Sequence, residues 1–395
     1  MNFAAERLYD DQALAEWRDR CRGFVEHEIL PFIPQWEREP RLAWECYRKL
    51  AAFGYLRLSY PRRLGGLELS GIWEEVAMEE LARAGKGPRA YLVRIARNYG
   101  HLLDDGSPEH RRILEDVLSG RHMLAFAETE AAGGSDAANI RTTAVAEGGG
   151  YRLTGTKAYI SLVPGADLLI VTALTDPGAG GKRGMSLFLV PVDTPGVTIV
   201  PVDTPDLKAW HTLGTVVLRD VWAPPTALLG EAHRGFYHIK ARVWSRRGLD
   251  HRLTPGEALA YYFREPRDAA GRKTVGGRPL LDVPRYQSML IDNFGFAELY
   301  RLASLRVLAG TAPAGTAASA SASASAMQFF TKVLERQMMM AKLEIEGGDA
   351  VARDTRVLQD MVFHAGARAA GGGVDIHFII VGQELYGREW ACHRD

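Results

Sequence analysis

Apolar positions recur at helical spacing through the first part of the chain. Leu14, Trp17, Cys21, Phe24 and Val25 fall on one face with charges between them, which predicts an amphipathic helix. Pro31 and Pro34 interrupt that pattern. Residues 43–54 predict a second helix stopped by Gly54. A loop punctuated by Pro61, Gly65 and Gly66 follows, and 72–84 and 108–118 predict two further amphipathic helices. Near residue 122 the period shortens. Residues 151–155, 168–173, 185–190 and 197–201 predict strands, separated by glycine-rich 148–150 and 176–181. From about residue 234 the pattern is helical again, and 286–308 is its clearest amphipathic stretch. Residues 311–326 are an Ala/Ser-rich run with no large apolar side chain to bury; they predict a flexible loop, with a solvated helix as the alternative. A helix resumes over 327–345, where Met338, Met339 and Met340 read as core filler. The chain is therefore α+β: helical over 1–121, strand-rich over 122–233, helical over 234–395.

Composition narrows the possibilities. A chain of 395 residues can bury a large core and hold two or three domains. Its 48 basic and 48 acidic residues cancel, so no overall charge draws it to nucleic acid. No apolar run approaches the ~20 residues that span a bilayer. The first residues carry charge early and no apolar core, so no signal peptide is expected. Cys21, Cys46 and Cys392 are too few and too scattered for a disulfide framework or a zinc site; they predict inert thiols and a cytoplasmic location. The histidines show no metal-ligand spacing, and neither a Walker loop nor a Rossmann glycine fingerprint occurs.

The chemistry concentrates in two segments. The first is Phe126-Ala-Glu-Thr129-Glu130-Ala-Ala-Gly133-Gly134-Ser135-Asp136; about twenty residues on comes Lys157-Ala-Tyr159-Ile160-Ser161. Small hydroxyls among glycines bring backbone N–H groups and side-chain oxygens close to a large flat ligand. This doublet resembles the flavin-contacting β-domain of the acyl-CoA dehydrogenase family, which reads T-E-x-x-x-G-S-D and then K-x-aromatic-I-T/S. The loop ending in Gly65-Gly66, and the run Asp220-Val221 … Leu229-Gly230 … Gly235-Phe236, are similar to other parts of that family. The C-terminal stretch 371–387 matches it in spacing more than in letters.

The resemblance implies an N-terminal helical domain, a central β-barrel-like domain and a C-terminal four-helix bundle, with FAD as cofactor. It implies that Phe126 and Thr129 line the flavin ring, Thr129 at its pyrimidine edge, with Gly134 in the same loop. Tyr159 would pack against the ring and Ser161 would contact it near N5; Ser135 would also touch the pantetheine arm of a substrate. For Tyr159 alone an ordinary strand aromatic is the simpler reading, and the doublet reverses it. Arg272, with Lys273 and Arg278, would neutralise the FAD pyrophosphate of a neighbouring subunit; a solvated basic loop fits them equally. The implied reaction is α,β-dehydrogenation of an acyl thioester carried on CoA or an acyl carrier protein. It implies an electron-transfer acceptor and a homo-oligomer, a dimer or tetramer. A role in secondary metabolism is a looser expectation.

That reaction needs a base for the α proton, and here the chain departs from the family. The resemblance places Gly371 at one of the family's two glutamate positions and Arg246 at the other, and neither removes a proton. Asp250 shares a helix face with Arg246 and is the substitute expected; Asp375 and His377 are weaker candidates. Arg246 would favour an anionic substrate. The alternatives are oxygen chemistry as a flavin monooxygenase or oxidase, a redox-neutral reaction on the same fold, or a role as a non-catalytic partner subunit of a heteromeric acyl-CoA dehydrogenase.

Overall fold

The computed structural model describes residues 12–39, 43–69, 71–84, 92–104, 107–203, 213–243, 260–308, 320–351 and 374–387. Helix α1 (Gln12–Phe24) buries Leu14 and Cys21, two of the positions its periodicity singles out. Helix α2 (Ala43–Phe53) stops at Gly54, whose φ of 112° is left-handed, a backbone that glycine enters without steric cost. Helices α3 (Gly71–Ala82), α4 (Arg94–Tyr99) and α5 (Pro108–Leu118) follow. Ser107 caps α5, its Oγ accepting from the His110 N–H, and Pro108 takes the first helical position, where no N–H is needed.

Strands β1 (Leu124–Ala127) to β8 (Leu228–Leu229) build one eight-stranded sheet in the order β6-β7-β3-β2-β4-β5-β8, with β1 joined parallel to β4. The strands between are β2 (Thr143–Glu147), β3 (Gly150–Ser161), β4 (Leu168–Leu174), β5 (Met185–Pro191), β6 (Val197–Val202) and β7 (Leu213–Ala223). All of β4 is buried, and so is β5 as far as Val190, which explains why both are apolar except for Thr172 and Ser186. Strand β3 is longer than its period suggests. It continues through Lys157-Ser161, so the second motif is the far half of a strand. After α6 (Gly235–Arg242) come α7 (Glu265–Arg272), a β9–β10 hairpin (Thr274–Val275 with Arg278–Pro279), and helices α8 (Pro284–Leu308), α9 (Ala320–Glu346) and α10 (Val374–Tyr386). No helix among the described residues is long and apolar enough to cross a membrane.

The chain divides into two compact units. One comprises Arg22–Ser70 and Ala84–Arg246 and holds the whole sheet. Its helices are bonded to one another and to the turns around the sheet: the Trp44 indole donates to the Gly165 carbonyl (3.0 Å), and the Tyr47 hydroxyl reaches the carbonyls of Val117 in α5 and of His122 just before β1 (3.1 Å each). Burial pushes the Tyr47 phenol pKa far up, so this link stays protonated. Burial likewise raises the Cys46 thiol, which makes it a poor nucleophile.

The other unit comprises Met1–Cys21, Gly71–Arg83 and Arg247–Asp395. Three expectations are corrected in it. Helix α3 is not amphipathic: Glu74, Glu75 and Glu80 are buried together with Val76 and Leu81. Toward the end of the helix the polar side is paired: the Arg18 guanidinium reaches Glu79 (2.8 Å) and Glu80 (3.1 Å). The Ala/Ser run is helical from Ala320 onward, within α9; residues 311–319 lie outside the described residues. Alanine has the best helix propensity, and the Met327 helix supplies a nucleus that the run extends. Met338 and Met339 are core as expected, but Met340 is half exposed. Helix α8 turns Leu290, Ala297 and Tyr300 inward and leaves Ile291, Phe294, Leu299 and Leu302 exposed.

The turn after α2 tests how tightly the first unit is built. The Gly66 N–H donates to Pro61, and a Cβ at Gly66 would lie 1.8 Å from the Tyr60 carbonyl oxygen. Gly66→Ala is expected to destabilise the protein by about 1–3 kcal/mol or more through that overlap, measured as a lower midpoint in urea. Gly65→Ala meets no such atom, and its cost is confined to the backbone strain of its φ of 72°.

Candidate functional site

Strand β1 sets the first wall of the site. Ala125 and Ala127 point into the sheet core, so Phe126 turns to the opposite side. There it stacks on Tyr99 from α4, ring centroids 4.2 Å apart and planes within 14°. Tyr99 is a component of this wall that no sequence pattern announces, because it lies in another element and in no motif.

After β1 the chain makes a turn. Glu130 and Gly133 exchange backbone hydrogen bonds, Glu130 N–H to Gly133 O at 3.4 Å and the return bond at 3.1 Å. Thr129 is half-buried at its start, while Gly134, Ser135 and Asp136 are exposed. A Cβ on Gly133 would meet nothing within 4 Å, and one on Gly134 would meet Thr129 Cγ2 at 3.2 Å. The two motifs are then joined directly: the Ala158 N–H donates to the Thr129 carbonyl at 2.8 Å.

Strand β3 departs from regular pairing at that point. Lys157 faces Val216 and Ile160 faces Gly214, so Ala158 and Tyr159 lie opposite Thr215 alone. This is a β-bulge, and it re-aims one side chain. Tyr159 has φ 57°, a left-handed backbone that costs a bulky residue of order 1–3 kcal/mol. Its ring is 62% exposed, although the neighbouring Ala158 and Ile160 are buried. Ser161, half-buried, ends the strand opposite Leu213.

Beneath the bulge lies Lys157, fully buried. Its Nζ is 2.8 Å from Glu130 Oε1, 2.9 Å from Thr172 Oγ1 and 3.3 Å from the Glu128 carbonyl. The Glu130 carboxylate also accepts from the Thr142 hydroxyl (2.7 Å), the Thr142 N–H (3.0 Å) and the Arg141 N–H (2.7 Å). Burial works against ionisation of Glu130. The Lys157 ammonium and Thr142 outweigh it and hold the carboxyl below the ordinary range. Burial draws the lysine downward against the pull of Glu130. The geometry is that of an ion pair whose bonding capacity is filled.

Other expected site residues lie elsewhere. Arg272 is exposed at the end of α7 in the second unit; beside it Lys273 pairs with Asp349 (2.6 Å) and the Glu346 carbonyl. Asp375 is exposed in the first turn of α10, and His377 is buried in the same helix. Arg246, Asp250, Gly371 and Gly373 lie outside the described residues. Among the described residues no three His, Cys, Asp or Glu side chains are grouped to hold a metal.

Sequence and fold match known proteins. The family model described as acyl-CoA dehydrogenase, N-terminal domain, matches residues 11–121, and the one described as acyl-CoA dehydrogenase, middle domain, matches 125–221. The chain belongs to the acyl-CoA dehydrogenase family. It is a flavoprotein oxidoreductase of that family, whose general chemistry is flavin-dependent dehydrogenation of acyl groups. A protein of Acetobacterium woodii, subunit CarC of the caffeyl-CoA reductase-Etf complex, is 28% identical over 351 residues, covering 86% of this chain and 89% of that one. The FAD complex of PigA has the same fold at a TM-score of 0.87, with 23% identity and 98% of this chain and 100% of PigA covered. The crystal structure of the prolyl acyl carrier protein oxidase AnaB gives 0.83, with 20% identity over 95% of this chain and 99% of that one.

Removing one member of the buried pair leaves the other uncompensated. Lys157→Met is expected to cost about 3–5 kcal/mol in denaturant unfolding. The pH dependence has a definite sign. Glu130, with its folded pKa depressed, contributes stability that is present above the unfolded value of about 4.3 and is lost as pH falls through the lower folded value. Glu130→Gln therefore flattens the acid limb of a stability–pH profile.

Proposed function

We propose that this chain binds FAD against the joined motifs and dehydrogenates an acyl thioester between its α and β carbons. The observation that carries this reading is the hydrogen bond from Ala158 to Thr129, which holds both motifs in one surface patch. The patch suits a flat ring. It has an exposed tyrosine ring, open space at Gly133, and small hydroxyls at Thr129 and Ser161. Thr129 would bond the pyrimidine edge, Ser161 would contact the ring near N5, and Tyr159 would pack against it, with Phe126 forming the wall backed by Tyr99. Gly134 and Ser135 leave room for the cofactor and for the pantetheine arm of the substrate. Arg272 would serve the pyrophosphate in a homo-oligomer.

A bound flavin supplies the hydride acceptor. The protein must remove the α proton, and Asp250 is the proposed base because Arg246 and Gly371 occupy the family's glutamate positions. Arg246 would attract an anionic group on the substrate. Electrons leave to a separate acceptor, as fits similarity to a protein named as part of an Etf complex. An acyl carrier protein is proposed as a substrate carrier beside CoA, supported by the likeness to AnaB.

Anaerobic titration of the FAD-loaded protein with a panel of acyl-CoA and carrier-bound thioesters tests the reading. Bleaching of the visible flavin band is expected, and Asp250→Asn should slow it by about 10²–10⁴-fold. Bound FAD that no thioester bleaches, but that consumes oxygen once chemically reduced, would replace dehydrogenation with oxygen chemistry.

A further inference from the structure

Glu130 does more than neutralise Lys157. One carboxylate oxygen takes the Thr142 hydroxyl, the Thr142 N–H and the lysine; the other takes the Arg141 N–H. A single side chain at the start of the Gly133–Ser135 loop thus holds the residues at the loop's end. Through Lys157 it also holds the strand whose next two residues form the bulge. Thr172 on β4 fixes the lysine from the third side. A ligand on this patch touches residues from both segments, so their relative placement decides whether both are met at once.

We propose that Glu130 and Lys157 are positioning residues, a buried ionic staple that sets Thr129, Gly134 and Ser135 in register with Tyr159 and Ser161 for the flavin. The proposal rests on the reading that FAD binds this patch. Neither residue touches the cofactor in this account. Lys157 is sealed beneath the strand, and Glu130 faces inward to Arg141 and Thr142. The staple also bears the strain of the bulge. A tyrosine backbone at φ 57° persists only where its surroundings over-determine it, and the Ala158 N–H bond and the lysine anchor flank it on the N-terminal side. Loosening the staple frees both segments from their common register, because they share one anchor.

The test uses Glu130→Gln, which keeps the shape and removes the charge. Leu50→Ala on α2, also fully buried but outside the sheet core, is the control for general destabilisation. In the FAD-free protein, amide hydrogen exchange over residues 131–140 and 157–161 should rise by about tenfold or more in Glu130→Gln and not in Leu50→Ala. FAD should bind about tenfold more weakly to Glu130→Gln, and the visible circular dichroism of its bound flavin should change. If Glu130→Gln does not fold, Thr142→Val removes one hydrogen bond to the same carboxylate and should raise exchange in the same two segments. Unchanged exchange and unchanged FAD affinity in the folded variant would overturn the proposal. A wild-type protein that binds no FAD would sink the functional reading instead, while the exchange data would still decide whether the staple orders the two segments.

Discussion

An ammonium group sealed from water must meet charge and hydrogen bonds on nearly every side, and Lys157 meets that condition in this fold. The condition is geometric. Glu130 and the Glu128 carbonyl come from one stretch of chain and Thr172 from another, and all must arrive within hydrogen-bond reach together. Buried ion pairs add little net stability compared with apolar side chains of the same volume, yet they tolerate few alternatives. Stability comes from the buried lengths of β4 and β5, and the placement of the motifs comes from the pair. The exposed Tyr159 ring follows from both. A rigid strand below and a fixed lysine beside it leave the bulged residue no direction but outward.

The readable parts of the fold were those with local causes. Helix stops at glycine, the change of period near residue 122 and the apolar runs of β4 and β5 each depend on a few neighbouring residues. The two motifs were equally plain, since they are contiguous in the chain. What escaped depends on distant partners. The stack of Tyr99 on Phe126 joins separate elements with no shared pattern. The bulge at Ala158 and Tyr159 arises from register against β7, which a single strand's alternation does not reveal. Helix α3 looked half-solvated because its glutamates are polar, and the guanidinium that pairs with buried Glu80 comes from Arg18, far away in the chain. The Ala/Ser run lacked anything to bury and so suggested a loop. Its intrinsic propensity, joined to a helix already formed, decided otherwise from Ala320 onward.

The helices of residues 22–70 and 84–121 also bear on how this protein is divided. Trp44 bonds to Gly165, the Tyr47 hydroxyl spans Val117 and His122, the His110 ring is 2.7 Å from the Thr226 carbonyl, and Tyr99 covers Phe126. These helical segments thus meet strand β1 at Phe126 and the turns of the sheet region at His122, Gly165 and Thr226. A cut near residue 121 would separate Trp44, Tyr47, Tyr99 and His110 from the partners that lie beyond it. The strand-rich fragment would carry both motifs intact yet lose the aromatic backing of Phe126.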